Sequence, residues 1–244
     1  MIRFFVALML VLAGMPLLAG ERWKGTVTAR VAIDSAGQVT DVKLARTTVG
    51  KAMRMALIAR AQRVQFEPAL LDGKPAAAEA TICIVLGVDE SEAGLSVVVD
   101  DIAIIAGYRK TPPPHYPRKQ LNRGITATVM LQLDYDAEGR VLAVVPATAD
   151  APLDEFMVAA LKAAKKWQLD PQRIGGVGIP GTATIPVRFT IADDKVERSG
   201  AAVLNFQDGS KLHVFRTAET QTTLADSQVR VRSVADAQGA VSGG

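Results

Sequence analysis

Side chains suited to catalysis or metal binding are scarce in this 244-residue chain. It holds one cysteine, Cys83, and two histidines, His115 and His213. One cysteine excludes an internal disulfide framework and any cysteine-based structural zinc site. Cys83 stands between Ile82 and Ile84 in a β-rich run, the setting of a small buried hydrophobe rather than a reactive thiol. His115 follows a proline run and His213 lies far downstream; neither has a Cys or His neighbour, so a metal pair would depend on the fold alone. No serine sits in a nucleophile-elbow pattern. Asp134-Tyr135-Asp136-Ala137-Glu138-Gly139 begins like a calcium loop, but Val145 stands where the bidentate Glu is required. The same residues suit a hairpin turn. Gly176-Val177-Gly178-Ile179-Pro180-Gly181 fits G-x-G-x-x-G. A dinucleotide site needs a helix after that loop, whereas a strand pattern follows here, so it reads as a loop. Lys162, Lys165 and Lys166 form a basic patch at a helix end, favoured by the helix dipole, as a solvated face or a contact for an acidic partner. Lys and Arg total 28 against 25 Asp and Glu, a net +3 too slight to indicate nucleic acid. The composition counts against an enzyme and indicates no cofactor, metal or nucleic-acid partner.

The elements that hold these residues repeat. Val27, Ala29, Val31 and Ile33 alternate as a half-buried strand, Asp34 to Gly37 turns, and Val39, Val42 and Leu44 return. Met53, Leu57, Ala61 and Val64 recur at helical spacing over 51–64, Phe66-Glu67-Pro68 ends that helix, and Thr81–Val85 closes as a strand. Residues 124–191 repeat the order. Val129, Leu131 and Leu133 alternate, Asp136 to Gly139 turns, and Val141, Val144 and Val145 return. Pro152 suits the first turn of a helix whose buried stripe is Leu153, Phe156, Ala160, Ala164 and Trp167. Ile185, Val187, Phe189 and Ile191 alternate in the last strand. The expected fold is α+β: two tandem β-β-α-β domains, each a small antiparallel sheet with one helix on a face, plus a β-rich C-terminal extension.

The N-terminus reads as a secretory signal over 1–20, with Arg3, an apolar run from Phe4 and small residues up to Gly20; an uncleaved membrane anchor is the alternative. The expected boundaries are then 21–88 for the first domain, 89–115 for a linker with the Thr111–Pro114 spacer, and 116–192 for the second domain. A β-hairpin extension over 193–234, turning at Asp208-Gly209, and a disordered tail over 235–244 complete the chain.

Tyr116-Pro117, the Asp136-to-Gly139 turn, Lys166-Trp167-Gln168-Leu169-Asp170-Pro171 and Val187-Arg188-Phe189, in that order, resemble the C-terminal domain of TonB, the periplasmic energy transducer of Gram-negative bacteria. Residues 25–88 resemble a degenerate copy that lacks the Tyr-Pro lead and has Val64 in place of the tryptophan. The resemblance implies a periplasmic protein that binds the TonB box, an extended segment of an outer-membrane receptor or another envelope protein, as a strand beside its own last strand. It places the peptide-binding residues at Tyr116, Pro117, Thr182, Ala183, Thr184, Ile185, Val187, Arg188 and Phe189. An open sheet edge has the backbone groups to accept such a peptide, though Pro186 interrupts donation. Tyr116 serves equally as a peptide contact or a plug for the core. The family's membrane helix and long proline-rich spacer have no counterpart in this reading, so force transmission is in doubt. The alternative is a structural scaffold or homodimer in which edge strands pair with each other.

Overall fold

The structure, a computed structural model, describes residues 23–45, 49–91, 94–148, 154–191, 201–205, 211–215, 223–225, 227–235 and 237–241. The signal segment 1–20, Pro152 with Leu153, and the Asp208-Gly209 turn lie outside them. No helix of the described residues is long and apolar enough to cross a membrane.

Alternation builds β1 (Trp23–Ile33), which buries Val27, Ala29, Val31 and Ile33. The chain then turns because the Asp34 carboxylate accepts from the Ala36 and Gln38 N–H groups, both at 2.9 Å. β2 (Val39–Leu44) returns antiparallel to β1. α1 (Lys51–Ala61) lays Met53, Leu57 and Ala61 into the core. After it come β3 (Gln65–Phe66), the hairpin of β4 (Ala69–Leu71) and β5 (Lys74–Ala76), and β6 (Ala78–Ser91). β6 pairs with β1 from Trp23↔Val88 to Ile33↔Ala78.

The expected linker over 89–115 is instead largely strand. β7 (Gly94–Ile105) folds back on β6 from Thr81↔Ile105 to Ser91↔Gly94, and β8 (Gly107–Lys110) follows. A strand as long as β6 would otherwise present a row of unpaired backbone groups, and the alternation of β7 supplies the partner. Val97, Val99 and Ile102 from β7 are buried in the first core.

The element order then recurs after α2 (Arg118–Asn122), with β9 (Ala127–Tyr135), β10 (Val141–Pro146) and α3 (Glu155–Ala164). Asp154, a residue type favoured at helix starts, caps α3 by accepting from the Met157 N–H at 2.8 Å. Next come β11 (Gln168–Asp170), β12 (Arg173–Ile174), β13 (Val177–Gly178) and β14 (Gly181–Phe189). Phe156, Met157, Ala160 and Ala164 of the helix pack with Leu131, Leu133, Ile185 and Phe189 of the sheet in a second core. Trp167 lies beyond the helix end and is buried there, its indole N–H donating to the Pro112 carbonyl at 2.9 Å. That bond pins the proline run to the second core.

Five strands follow among the described residues: β15 (Ala201–Asn205), β16 (Lys211–Phe215), β17 (Thr223–Leu224), β18 (Val231–Ser233) and β19 (Gly239–Val241). β15 and β16 pair antiparallel, and β16 adds to β1 at Lys24↔Phe215 and Gly25↔Val214. The expectation of a disordered tail over 235–244 is corrected for its described residues. Ala237 is fully buried and β19 pairs with Val97–Val99 of β7. Small residues let this tail lie flat against an edge that still had backbone groups to satisfy.

The two runs of elements are joined through sheet, core and charge. β12 adds to β6 at Arg173↔Glu79 and Ile174↔Ala78, and β11 adds to β8. Ile174 is buried in the first core, and Ala106 in the second. The Arg30 guanidinium bridges Glu79, at 2.8 Å, and Asp170, which also meets Arg109 at 3.1 Å.

Candidate functional site

The resemblance places its contacts on the last strand of the second run, and β14 carries most of them. Ala183, Ile185, Val187 and Phe189 alternate inward and are buried. On one side β14 pairs with β9 along its length, from Gly181↔Tyr135 to Phe189↔Ala127. On the other side it pairs with β17 at Ala183↔Leu224 and Thr184↔Thr223. Among the described residues, no strand pairs with that outer side beyond Thr184.

The direction of the backbone groups follows from one bond. The Ala225 N–H donates to the Thr182 carbonyl at 3.0 Å, so Thr182 turns its backbone groups to the outer side. In a strand the N–H and C=O of one residue share a side and successive residues alternate. Thr184, Pro186 and Arg188 therefore face outward with Thr182, while Ile185, Val187 and Phe189 face β9. Pro186, the residue that lacks a donor, falls on the outer side, so β14 and β9 pair across it without loss. The proline costs the edge one donor and leaves its carbonyl there as an acceptor.

Tyr116 sits edge-on to Phe156 and Phe189, with ring centroids 5.7 and 5.6 Å away. Phe156 and Phe189 are 4.9 Å apart. The Tyr116 hydroxyl donates to the Ile125 carbonyl at 2.6 Å. Both the ring and the polar tip are thus engaged by the chain itself, which favours the plug over the peptide contact. Pro117 takes the N-cap position of α2 in extended conformation, setting the turn that carries Tyr116 onto Phe189.

The other chemical motifs are used structurally. Asp136 accepts from the Glu138 and Arg140 N–H groups at 3.0 and 2.8 Å and from the Arg140 side chain at 2.6 Å. Desolvation pulls its pKa up, but these bonds and the Arg140 charge outweigh it, leaving the carboxyl below its ordinary value. Asp134 accepts from the Thr182 hydroxyl at 2.7 Å. The first two carboxylates of the calcium-like run, Asp134 and Asp136, therefore hold the strand and the turn, respectively. Burial raises the Tyr135 pKa, with its hydroxyl in the second core against Gly181. Gly176–Gly181 runs through β13 into β14, with no helix after it. Cys83 is buried with Val85 and Ile105.

One feature of this edge was missed by the sequence reading. β17 is two residues long, and two residues carry no periodicity to detect. Only its approach to β14 reveals it.

Comparison with known proteins places this geometry. The sequence model of the family described as Gram-negative bacterial TonB protein C-terminal matches residues 18–85 and again 112–191. Protein TonB of Vibrio cholerae is 31% identical over 97 residues, 39% of this chain and 37% of that protein. Protein TonB of Xanthomonas campestris is 32% identical over 81 residues, covering 32% and 35% of the two chains. Protein tonB2 of Pseudomonas aeruginosa is 32% identical over 88 residues, covering 35% and 32%. The chain thus spans about a third of the length of these relatives.

Proposed function

The chain belongs to the family of Gram-negative bacterial TonB protein C-terminal domains, and on that premise we propose that it is an exported envelope protein that captures an extended peptide on β14. The captured segment is of the TonB-box kind, from an outer-membrane receptor or another periplasm-facing protein. It adds as a strand along the outer side of β14. Its affinity comes from main-chain hydrogen bonds, and its selectivity from side chains that fit beside Ile185, Val187 and Phe189.

The single observation that supports this reading most is that the outer side of β14 accepts an added strand, with β17 pairing there at Ala183↔Leu224 and Thr184↔Thr223. Each backbone bond formed there is worth about 0.5–1.5 kcal/mol net. A short peptide thus gains modest affinity, suited to reversible capture. Of the two family matches, the second is the binding module. The first is a degenerate, structural copy.

Titration of the chain from residue 21 onward with a TonB-box peptide, followed by amide NMR, tests the reading. Saturable shifts confined to 182–189 and their neighbours are expected. Arg188→Pro removes an outward N–H while sparing those toward β9, and should weaken binding several-fold. Absence of saturable binding by the folded chain would end the proposal.

A second reading, association of two copies, is supported by β10. Leu142 and Val145 on that strand are exposed, at 69% and 49%, and no strand flanks it on its outer side among the described residues. Mass that rises with concentration in sedimentation, and falls with Leu142→Lys, is the expected sign of it.

A further inference from the structure

The cations of the second run are gathered rather than scattered. Residues 107–133 carry Arg109, Lys110, Arg118, Lys119 and Arg123 with no Asp or Glu, and residues 156–169 carry Lys162, Lys165 and Lys166 with none either. The fold lays these two stretches side by side. Lys110 pairs with Gln168 across β8 and β11, the Pro112 carbonyl accepts from Trp167, the Tyr116 ring meets Phe156, and Gln120 donates to Glu155 at 3.2 Å. The segment from Lys110 to Gln120 thus runs antiparallel to α3, from its C-terminal end to its first turn. We propose that the ledge formed by this segment and the outward stripe of α3 docks on the surface of an anionic lipid bilayer.

α3 buries Phe156, Met157, Ala160 and Ala164, so the helical period turns Val158, Lys162 and the C-cap residue Lys165 to the opposite side, where all three are exposed. Lys166 and Lys110 are exposed beside that end of the helix. Arg118, Lys119 and Arg123, with Leu121 between them, are exposed on α2 and just after it, at the other end. Among the described residues none of these cations enters an ion pair, whereas Arg30, Arg109 and Arg140 all do. Glu155, the acid at the start of α3, is held by Gln120. α3 lies over β9 and β10, so the ledge is separate from the strand-addition site on β14.

The chemistry of the partner follows from what stands between the charges. Val158 and Leu121 are large aliphatic residues exposed at 55% and 44%. Aliphatic side chains flanked by long cationic ones suit the boundary between headgroups and acyl chains, where the aliphatic group enters and the Lys stems reach back to the phosphates. Lys is a flexible point charge that can follow phosphates without fixed positions, while a folded acidic partner is better matched by the rigid fork of Arg. The span fits as well. α3 has 10 residues and is about 15 Å long, so cations at its two ends meet separate headgroups rather than one anion.

The test uses the chain from residue 21 onward, so that the apolar run before it cannot insert, and vesicles of phosphatidylcholine with or without phosphatidylglycerol. Cosedimentation with the phosphatidylglycerol vesicles that falls steeply with added salt, and none with phosphatidylcholine alone, is the expected result. Each basic side chain near such a surface strengthens binding about fivefold, so Lys162→Gln with Lys165→Gln and Lys166→Gln should weaken it roughly a hundredfold. Lys51→Gln with Arg63→Gln and Lys74→Gln removes the same charge from exposed positions of the first run and should weaken it far less. Val158→Asp should also weaken it. All of these positions are exposed, so the substitutions spare the cores. Equal losses in the two triple variants would overturn the ledge, because net charge alone would then account for binding. Failure of the wild-type chain to bind phosphatidylglycerol vesicles would overturn the bilayer, and binding to soluble poly-glutamate instead would assign the ledge to an acidic protein. None of these readouts involves a TonB-box peptide, so the reading of β14 stands or falls separately.

Discussion

Replacing Gly139 by alanine should be among the most damaging single-methyl changes in this protein, and the structure allows its cost to be divided. Gly139 closes the Asp136 turn at φ +80°, a left-handed conformation that non-glycine residues adopt at a cost of about 1–2 kcal/mol. A Cβ built there would lie 2.1 Å from the Leu169 carbonyl oxygen and 2.8 Å from its carbon. Both are backbone atoms, so no side-chain rotation relieves the clash. The turn must move away, and the Leu169 N–H bond to the Gly139 carbonyl, now 2.8 Å, is lost or lengthened. That adds about 1 kcal/mol, and displacement of the buried Leu169 adds more. The expected total is about 3 kcal/mol. Gly176 supplies the control, with φ +84° and no atom within 4 Å of its built Cβ. Gly176→Ala should therefore pay the conformational part alone, about 1–2 kcal/mol. Urea denaturation of the chain from residue 21 onward, followed by the fluorescence of Trp23 and Trp167, measures both. Equal losses in the two variants would refute the contact argument, because only the contact distinguishes them. Gly37 repeats the geometry at the first turn, with a built Cβ 2.1 Å from the Phe66 carbonyl oxygen, and should behave like Gly139.

Two further outcomes are expected. Tyr116→Phe removes the hydroxyl bond to Ile125 and should lower stability by about 1 kcal/mol while leaving peptide affinity unchanged; a loss of affinity without a loss of stability would make Tyr116 a peptide contact. Asp136 titrates below its ordinary pKa in the folded chain, so its contribution is present above about pH 4 and fades as pH falls through the lowered folded value. In acid titrations monitored by circular dichroism, Asp136→Asn should flatten that part of the stability curve, and an unchanged curve would show that the Arg140 pairing contributes nothing.

The repeated units were legible because each of their signals is local. Alternation in Val27–Ile33 and Val129–Leu133, the Asp-to-Gly turns, and the helical stripe of Met53, Leu57 and Ala61 all act within a few residues. β1, β9 and both turns therefore stand where the periodicity puts them. The last strand of the second run was legible for the same reason through Ile185, Val187 and Phe189, whereas Ile191 falls past the end of β14 and Ala183 joins the buried set. Pro186 was legible as an interruption, but whether it interrupts the inner or the outer side depends on register, which only the pairing with β9 and the Ala225 bond decide.

The alternating strands, the Asp-to-Gly turns and the motifs that carry the family resemblance were determined by the sequence alone. What covers each sheet edge was decided by the tertiary structure. Val97–Val99 favours a strand by itself but names no partner until β6 pairs with it, the tail reads as structureless until β7 pairs with it, and β17 is too short to read at all. Backbone hydrogen bonds between strands do not depend on side-chain identity, so residues far apart in sequence can meet them without leaving a pattern. The same indifference lets β17, far along the chain, add to β14 at Ala183 and Thr184.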